Sequence, residues 1–174
     1  MMLKLFCLLS LLSRTAPAED VPTQDKPSDL KVTVLYCHDG DTCRVNLEDA
    51  FWFNVRLAGI DTPEVKGYKP KQFGQPMGDE ARDYLNKEIK GKIVKLRQTD
   101  LDGYNRSVVE IYLGGKNINL AMIEQGFAEA YRGHAKRLDR EPYYLAEKVA
   151  KEKRIGIWSM KAYKSPSLYR QETR

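Results

Sequence analysis

The feature that most limits the fold is a change of hydrophobic period in mid-chain. From Leu30 onward, apolar and β-branched residues come in short runs: Val32-Thr33-Val34-Leu35-Tyr36, Thr42 to Leu47, and Phe51 to Ile60. Such runs are the pattern of strands. In Phe53-x-Val55-x-Leu57 every second residue is apolar, so one face of that strand points inward. Between Gly74 and Gly91 the spacing turns helical, with Ala81, Tyr84, Leu85 and Ile89 on one side and Gly91 as a stop. Two strands follow, Ile93 to Arg97 and Val108 to Leu113, ending at Gly114-Gly115. Asn119 then reads as the N-cap of a short helix through Leu120 and Ile123 that Gly126 closes. Asp139 reads as the cap of a helix carrying Leu145 and Val149, and Ile155-Gly156-Ile157-Trp158 as a segment packing back on the core. Five strands interrupted by one helix and followed by two do not form the βαβ alternation of a parallel sheet. They predict an α+β, mainly β chain: a small antiparallel barrel with helices on one side.

The 174 residues suffice for one domain and one site. Residues 1–18 have the layout of a secretory signal: Lys4, an apolar run from Leu5 to Leu12, and the small-residue cleavage site Ala16-Pro17-Ala18. The apolar run falls far short of the roughly 20 residues needed to cross a bilayer, so no stable membrane insertion is expected. Residues 19–30, with Pro22, Pro27 and Ser28, read as a flexible leader, 31–159 as the folded domain, and 160–174 as a basic tail that frays. Cleavage removes Lys4 and Arg14 and lowers the formal charge from +5 to +3, a mildly basic balance that suits a polyanion without specifying one.

Cleavage also leaves Cys37 and Cys43 as an even pair in an oxidising compartment. A three-residue loop, Asp39 to Asp41, would set them directly opposite and able to bond. A two-residue loop would put them on opposite faces, as two buried strand cysteines. Of the two arrangements, the even pair in an oxidising compartment favours the disulfide.

Acidic and guanidinium groups concentrate in three segments at strand ends: His38-Asp39-Gly40-Asp41-Thr42, Arg56 through Ile60-Asp61-Thr62-Pro63-Glu64, and Asp102-Gly103-Tyr104-Asn105-Arg106. Arg56 and Asp61 are five apart, so they share no face of a straight strand; they can converge only if the chain bends or ends near Gly59. In order and spacing the three segments resemble the signature segments of the staphylococcal (micrococcal) nuclease family. The resemblance continues through Phe73-Gly74, Glu80-Ala81, Asn119 to Ala128 and Ile157-Trp158-Ser159, and covers roughly residues 32–159. Asn105 stands where the family commonly has Gly, and Arg132 to Arg140 departs from its tyrosine-rich stretch.

The resemblance implies a five-stranded OB-fold-like β-barrel with three α-helices. It implies a secreted or periplasmic nuclease, monomeric by default, that uses one Ca²⁺ to cut DNA and RNA in single-stranded or breathing regions. Asp41 and Asp61 would be carboxylate ligands, Thr62 a backbone-carbonyl ligand, and Asp39 would orient ligands or their waters. Glu64 would aim and deprotonate the attacking water, while Arg56 and Arg106 would neutralise charge building on the phosphoryl oxygens. Tyr104 and Tyr131 would stack on a base or meet a sugar, and Lys66, Lys69 and Lys71 would steer the strand. His38 and His134 have no part in that scheme. The competing expectations are a nucleic-acid-binding module without activity on the same fold, and a phosphodiesterase using another metal.

Overall fold

The structure is a computed structural model that describes residues 29–67, 73–133 and 135–173. The signal segment 1–18, the leader up to residue 28, Lys69, Lys71 and His134 lie outside the described residues. Strands β1 (Leu30–Cys37), β2 (Thr42–Leu47) and β3 (Phe51–Leu57) occupy the first three β-rich runs, with a two-residue strand β4 (Ile60–Asp61) beyond a bend. Helix α1 (Gly78–Ile89) is the segment of changed period, and β5 (Ile93–Leu101) and β6 (Ser107–Leu113) complete the barrel. Then come β7 (Lys116–Asn117), α2 (Ile118–Glu124), β8 (Glu129–Ala130), α3 (Glu141–Glu152), a 3-10 turn at Gly156–Ser159, and α4 (Pro166–Glu172).

Hydrogen bonding runs in the order β3-β2-β1-β5-β6, and β6 returns to β3, so five strands close on themselves. All barrel neighbours are antiparallel except β3 and β6, where Val55, Arg56 and Leu57 lie beside Ser107, Val108 and Val109 in parallel. An odd number of strands cannot alternate direction all the way round, so the expected antiparallel barrel becomes a mixed one with one parallel seam. The register slips between Val34 and Tyr36 in β1 and between Gln98 and Asp100 in β5, bulges that let the strands bend into closure. Inside lie Val34, Val45, Val55, Leu57 and Ile111. Helix α1 adds Ala81, Leu85 and Ile89 to the core, and α2 adds Ile118, Met122 and Ile123. Each large aliphatic side chain so buried contributes about 1.5–3 kcal/mol.

Four local expectations are corrected. The N-cap of α2 is Asn117, whose side chain accepts from the Leu120 amide at 3.1 Å; Asn119, expected there, is fully buried and does something else. Asp139 lies one position outside the N-cap of α3, accepting from the Glu141 amide at 3.2 Å. The inward face of α3 is Tyr143, Glu147 and Ala150, with Leu145 and Val149 exposed, because buried Glu147 is taken up by the Ala130 amide, Arg132 and Lys151. The tail does not fray through its length: Ser165 caps α4 by accepting from the Leu168 amide at 3.3 Å, and Pro166 occupies the first turn, where its missing N–H costs nothing.

Candidate active site

The first segment is a hairpin loop held at both ends. Cys37 and Cys43 stand directly opposite and are joined by a disulfide, and the His38 amide donates to the Thr42 carbonyl at 2.8 Å. That leaves Asp39, Gly40 and Asp41 as the loop, the three-residue alternative. From α1, the Asn86 side chain accepts from the Cys37 amide at 2.8 Å and donates to the Cys37 carbonyl at 3.0 Å. Within the loop the Asp39 carboxylate accepts from the Asp41 amide at 3.0 Å, an Asx turn. Gly40 lies so close to Thr62 that a Cβ would come within 2.8 Å of it, so the absence of a side chain lets the first segment rest on the second.

The second segment bends where the spacing of Arg56 and Asp61 requires it. Strand β3 ends at Leu57, whose amide donates to the Asp41 carbonyl at 2.7 Å, and Gly59 takes φ +77° before β4 pairs with β8. A side chain at Gly59 would also strike Leu138 and Tyr143, at 2.8 and 2.9 Å. Buried Asn119 fixes this bend: its amide donates to the carbonyls of Ala58 and Val109, each at 2.9 Å, and its oxygen accepts from the Ile111 amide at 3.0 Å. Arg56 and Asp61 therefore meet. Arg56 Nη1 donates to Asp41 Oδ1 at 2.6 Å and Nη2 to Asp61 Oδ1 at 3.4 Å, while Asp41 also accepts from the Thr42 hydroxyl at 3.2 Å and the Thr62 amide at 3.4 Å.

Glu64 is placed by its backbone. Its amide donates to Gln75 Oε1 at 3.0 Å and its carbonyl accepts from the Gln75 amide at 2.7 Å. Gly78, at the start of α1, is pressed so closely on the Glu64 carbonyl that a Cβ would lie 2.3 Å away. The Glu64 carboxylate is engaged from an unexpected direction: Arg170 of α4 donates to Glu64 Oε1 at 2.7 Å and to both oxygens of Asp61, at 3.0 and 2.7 Å. Gln75 also donates to the Lys164 carbonyl at 2.9 Å, tying the C-terminal segment to the same loop.

The third segment is a tight turn organised by Asp102, which accepts from the amides of Tyr104 and Arg106, both at 2.9 Å, and from Arg106 Nε at 2.7 Å. Asn105 takes φ +61°, the left-handed conformation that Asn tolerates better than most residues. Tyr104 stands at the rim, 84% exposed, and the Arg56 guanidinium lies 5.9 Å from the Tyr131 ring centroid. A cleft of about 400 Å³ is lined by residues of all three segments together with Tyr131 and Arg170.

The electrostatics of this cleft are unbalanced. Burial, and then the charge of Asp41, push the Asp39 carboxyl up to about 7. Asp41 holds the Arg56 guanidinium above its ordinary value, reinforced by Asp61 and opposed by burial. Hydrogen bonding to Asp61, then to Glu64, raises Arg170 in the same way. Burial acts to raise Asp102, but the Arg106 amide and guanidinium outweigh it and hold that carboxyl below the ordinary range. Among the described residues no three carboxylate, imidazole or thiol groups gather as a ready-made cation cage. Asp41 and Asp61 instead gather around guanidinium groups.

The structure thus brings Asp39, Asp41, Thr62, Glu64, Arg56, Arg106, Tyr104 and Tyr131 to one cleft. Reading the sequence missed Gln75, Asn86, Asn119, Asp102 as the organiser of its turn, and Arg170. Only Asp102 carried a local signal, its Asx-turn position ahead of Tyr104.

A closed five-stranded barrel with a carboxylate–guanidinium cleft at its mouth defines an OB-like class of protein, and comparison with known sequences narrows it. The family model described as "Staphylococcal nuclease homologue" matches residues 54–160, which include Arg56, Asp61, Thr62, Glu64 and Arg106; Asp39 and Asp41 precede that span. The chain belongs to this family. It is 34% identical over 134 residues to the probable endonuclease LCL3 of the yeast Vanderwaltozyma polyspora, covering 73% of this chain and 48% of that protein. It is 34% identical over 122 residues to the staphylococcal-like nuclease CAN1 of Arabidopsis thaliana, covering 70% and 34%. An uncharacterized endonuclease of Haemophilus influenzae is 34% identical over 140 residues, covering 80% and 72%. The chain thus spans about half the length of the yeast relative and about a third of the plant one.

Proposed function

We propose that this protein is a secreted, calcium-dependent nuclease that hydrolyses phosphodiester bonds of DNA and RNA. The observation that carries the reading is the meeting of Asp41 and Arg56, 15 residues apart, beside Glu64 and Arg106 in one cleft, with Asp61 bonded to Arg56 at its wall. Secretion is supported by the composition of residues 1–18 and by the Cys37–Cys43 disulfide, which suits an oxidising compartment. Among the described residues no helix is long and apolar enough to cross a membrane.

The donor chemistry fits a hard dication. Asp41 and Asp61 offer carboxylate oxygens and Thr62 a backbone carbonyl, and Asp39, raised by burial and then by the charge of Asp41, stands beside them. A bound Ca²⁺ would neutralise charge on the phosphoryl oxygens. Arg56 and Arg106 would act on the same oxygens, since a guanidinium can hold two oxygens at once and stays charged at any working pH. Asp102 already occupies Nε of Arg106, which leaves its terminal nitrogens for phosphate. Glu64, fixed through Gln75, would orient the water that attacks phosphorus and accept its proton, with the 5′ oxygen leaving to give 3′-phosphate ends. Tyr104 at the rim would stack on a base, a contact open to any sequence.

The test is release of acid-soluble nucleotides from single-stranded DNA and RNA by the purified mature chain, with Ca²⁺ and with chelator, beside Glu64→Gln. Calcium-dependent release that collapses in the variant supports the reading. Folded wild type that binds the strand without cutting it under any metal would show a binding module instead.

A further inference from the structure

Arg56 is the inner end of a row. Along β3 the side chains alternate between interior and solvent: Val55 and Leu57 are buried, while Asn54 is exposed and Trp52 is 64% exposed. Strand register carries the row sideways, because Trp52 pairs with Asn46, Asn54 with Arg44, and Arg44 with Tyr36. Trp52, Asn54, Arg44 and Tyr36 therefore share the outer face of β1, β2 and β3 with Arg56. The Arg44 guanidinium lies 3.6 Å from the Trp52 ring centroid, and Tyr36 meets His38 edge-on at 4.8 Å. No ion pair to Arg44 is present among the described residues. A tryptophan left open on a sheet face, with an uncompensated guanidinium stacked on it, has the chemistry of a surface that receives bases and phosphates together.

We propose that this face is a binding track for the single strand of nucleic acid that flanks the bond being cut. Trp52 stacks on a base, Arg44 takes a phosphate, and Tyr36 extends the aromatic surface toward the Asp39–Asp41 loop. The track rests on the nuclease reading for its end point at Arg56. Trp52 is four residues from Arg56, about 13 Å along the strand, or roughly four nucleotides at 3.4 Å each in a stacked strand and fewer in an extended one. A dinucleotide held in the cleft stops short of Trp52, and a strand of about ten nucleotides passes over it.

The experiment is fluorescence anisotropy of labelled oligothymidylates of two and about ten nucleotides on the full mature chain. It carries Glu64→Gln to prevent cutting, and Trp52→Ala, Trp52→Phe or Arg44→Ala is added. The ratio of long-strand to short-strand affinity falls about tenfold in Trp52→Ala, is largely kept in Trp52→Phe, and loses part of its salt dependence in Arg44→Ala. An unchanged ratio in Trp52→Ala and Arg44→Ala overturns the track, as does a Trp52→Phe variant as weak as Trp52→Ala. Should Trp52→Ala fail to fold, the Arg44→Ala and Trp52→Phe results decide alone. If wild type cuts nothing while its long-strand preference still depends on Trp52, the nuclease reading fails and the track stands. Cleavage with an unchanged ratio is the reverse.

Discussion

Two buried clusters of carboxylates and guanidinium groups sit in this barrel and are built to different ends. At Glu110, 2% exposed, the carboxylate is closed: Tyr143 donates at 2.7 Å, Asn117 at 3.0 Å, and Arg97 Nε at 2.7 Å. In the cleft Asp41, 5% exposed, lines an open volume of about 400 Å³, and Asp61, 2% exposed, is bonded to Arg56 and Arg170 at its wall. Neutral hydrogen bonds complete the first cluster, so its charge is spent on the fold. In the second, the Asp61 oxygens accept from Arg56 and Arg170, so one cation there can be exchanged for another.

The sharpest break between the two is functional. Glu64→Gln keeps the size of the side chain and leaves the Gln75 backbone contacts in place. Turnover of single-stranded DNA should fall by about 10²–10⁴ with little change in melting temperature. A Glu110→Ala variant should behave oppositely. It leaves Arg97, Asn117 and the Tyr143 hydroxyl without their partner and should lose about 3–5 kcal/mol by urea unfolding, while the folded fraction still cuts. Loss of turnover in folded Glu110→Ala, or marked unfolding in Glu64→Gln, would erase the distinction.

Much of this architecture was legible before the structure, and the gaps have physical reasons. Strands and α1 follow from apolar periods of two and about 3.6, which need only neighbouring residues. The three acidic and basic segments were visible as motifs. Their convergence was not, because it depends on a bend at Gly59 held by Asn119, whose contacts to Ala58 and Val109 cross 61 and 10 residues. Asn119 looked like a helix cap because a buried Asn and a capping Asn are the same letter near the same helix start. Gln75 and Asn86 act by gripping backbone, which imposes no pattern of its own. The tail reads as frayed although Ser165-Pro166 has a cap-and-proline pattern, and nothing local says that Arg170, 109 residues beyond Asp61, returns to it.

Glu147 belongs with Glu110 and gives the comparison a pH dependence. Burial raises its carboxyl, but hydrogen bonds from Lys151, Arg132 and the Ala130 amide prevail and hold it below the ordinary 4.5. A carboxyl lowered by folding binds fewer protons in the native state than in the unfolded one. Its stabilisation is therefore present above about the ordinary value and lost as pH falls through the native one. Glu147→Gln should cost about 1.5–3 kcal/mol at pH 7 and less in acid, so the gap between wild type and variant narrows below pH 4.5 in urea midpoints. A gap constant with pH would mean that the charge of Glu147 contributes nothing.

Arg170 is the member whose allegiance the comparison leaves to experiment. Its three bonds to Asp61 and Glu64 resemble the closed cluster in number, but the group sits on a short helix, and Arg170 and Glu64 both line the cleft. Any dication that uses Asp61 must share or displace its charge. Arg170→Ala should therefore raise Ca²⁺ affinity about tenfold by calorimetry, equivalent to about 1.4 kcal/mol, with only a small drop in melting temperature in chelator. Arg170→Lys keeps the charge but cannot span Asp61 and Glu64 together, and should fall between the two. If Arg170→Ala instead weakens Ca²⁺ binding and melts several degrees lower, the arginine positions Asp61 and Glu64 as Arg97 positions Glu110, and α4 is part of the scaffold of the cleft.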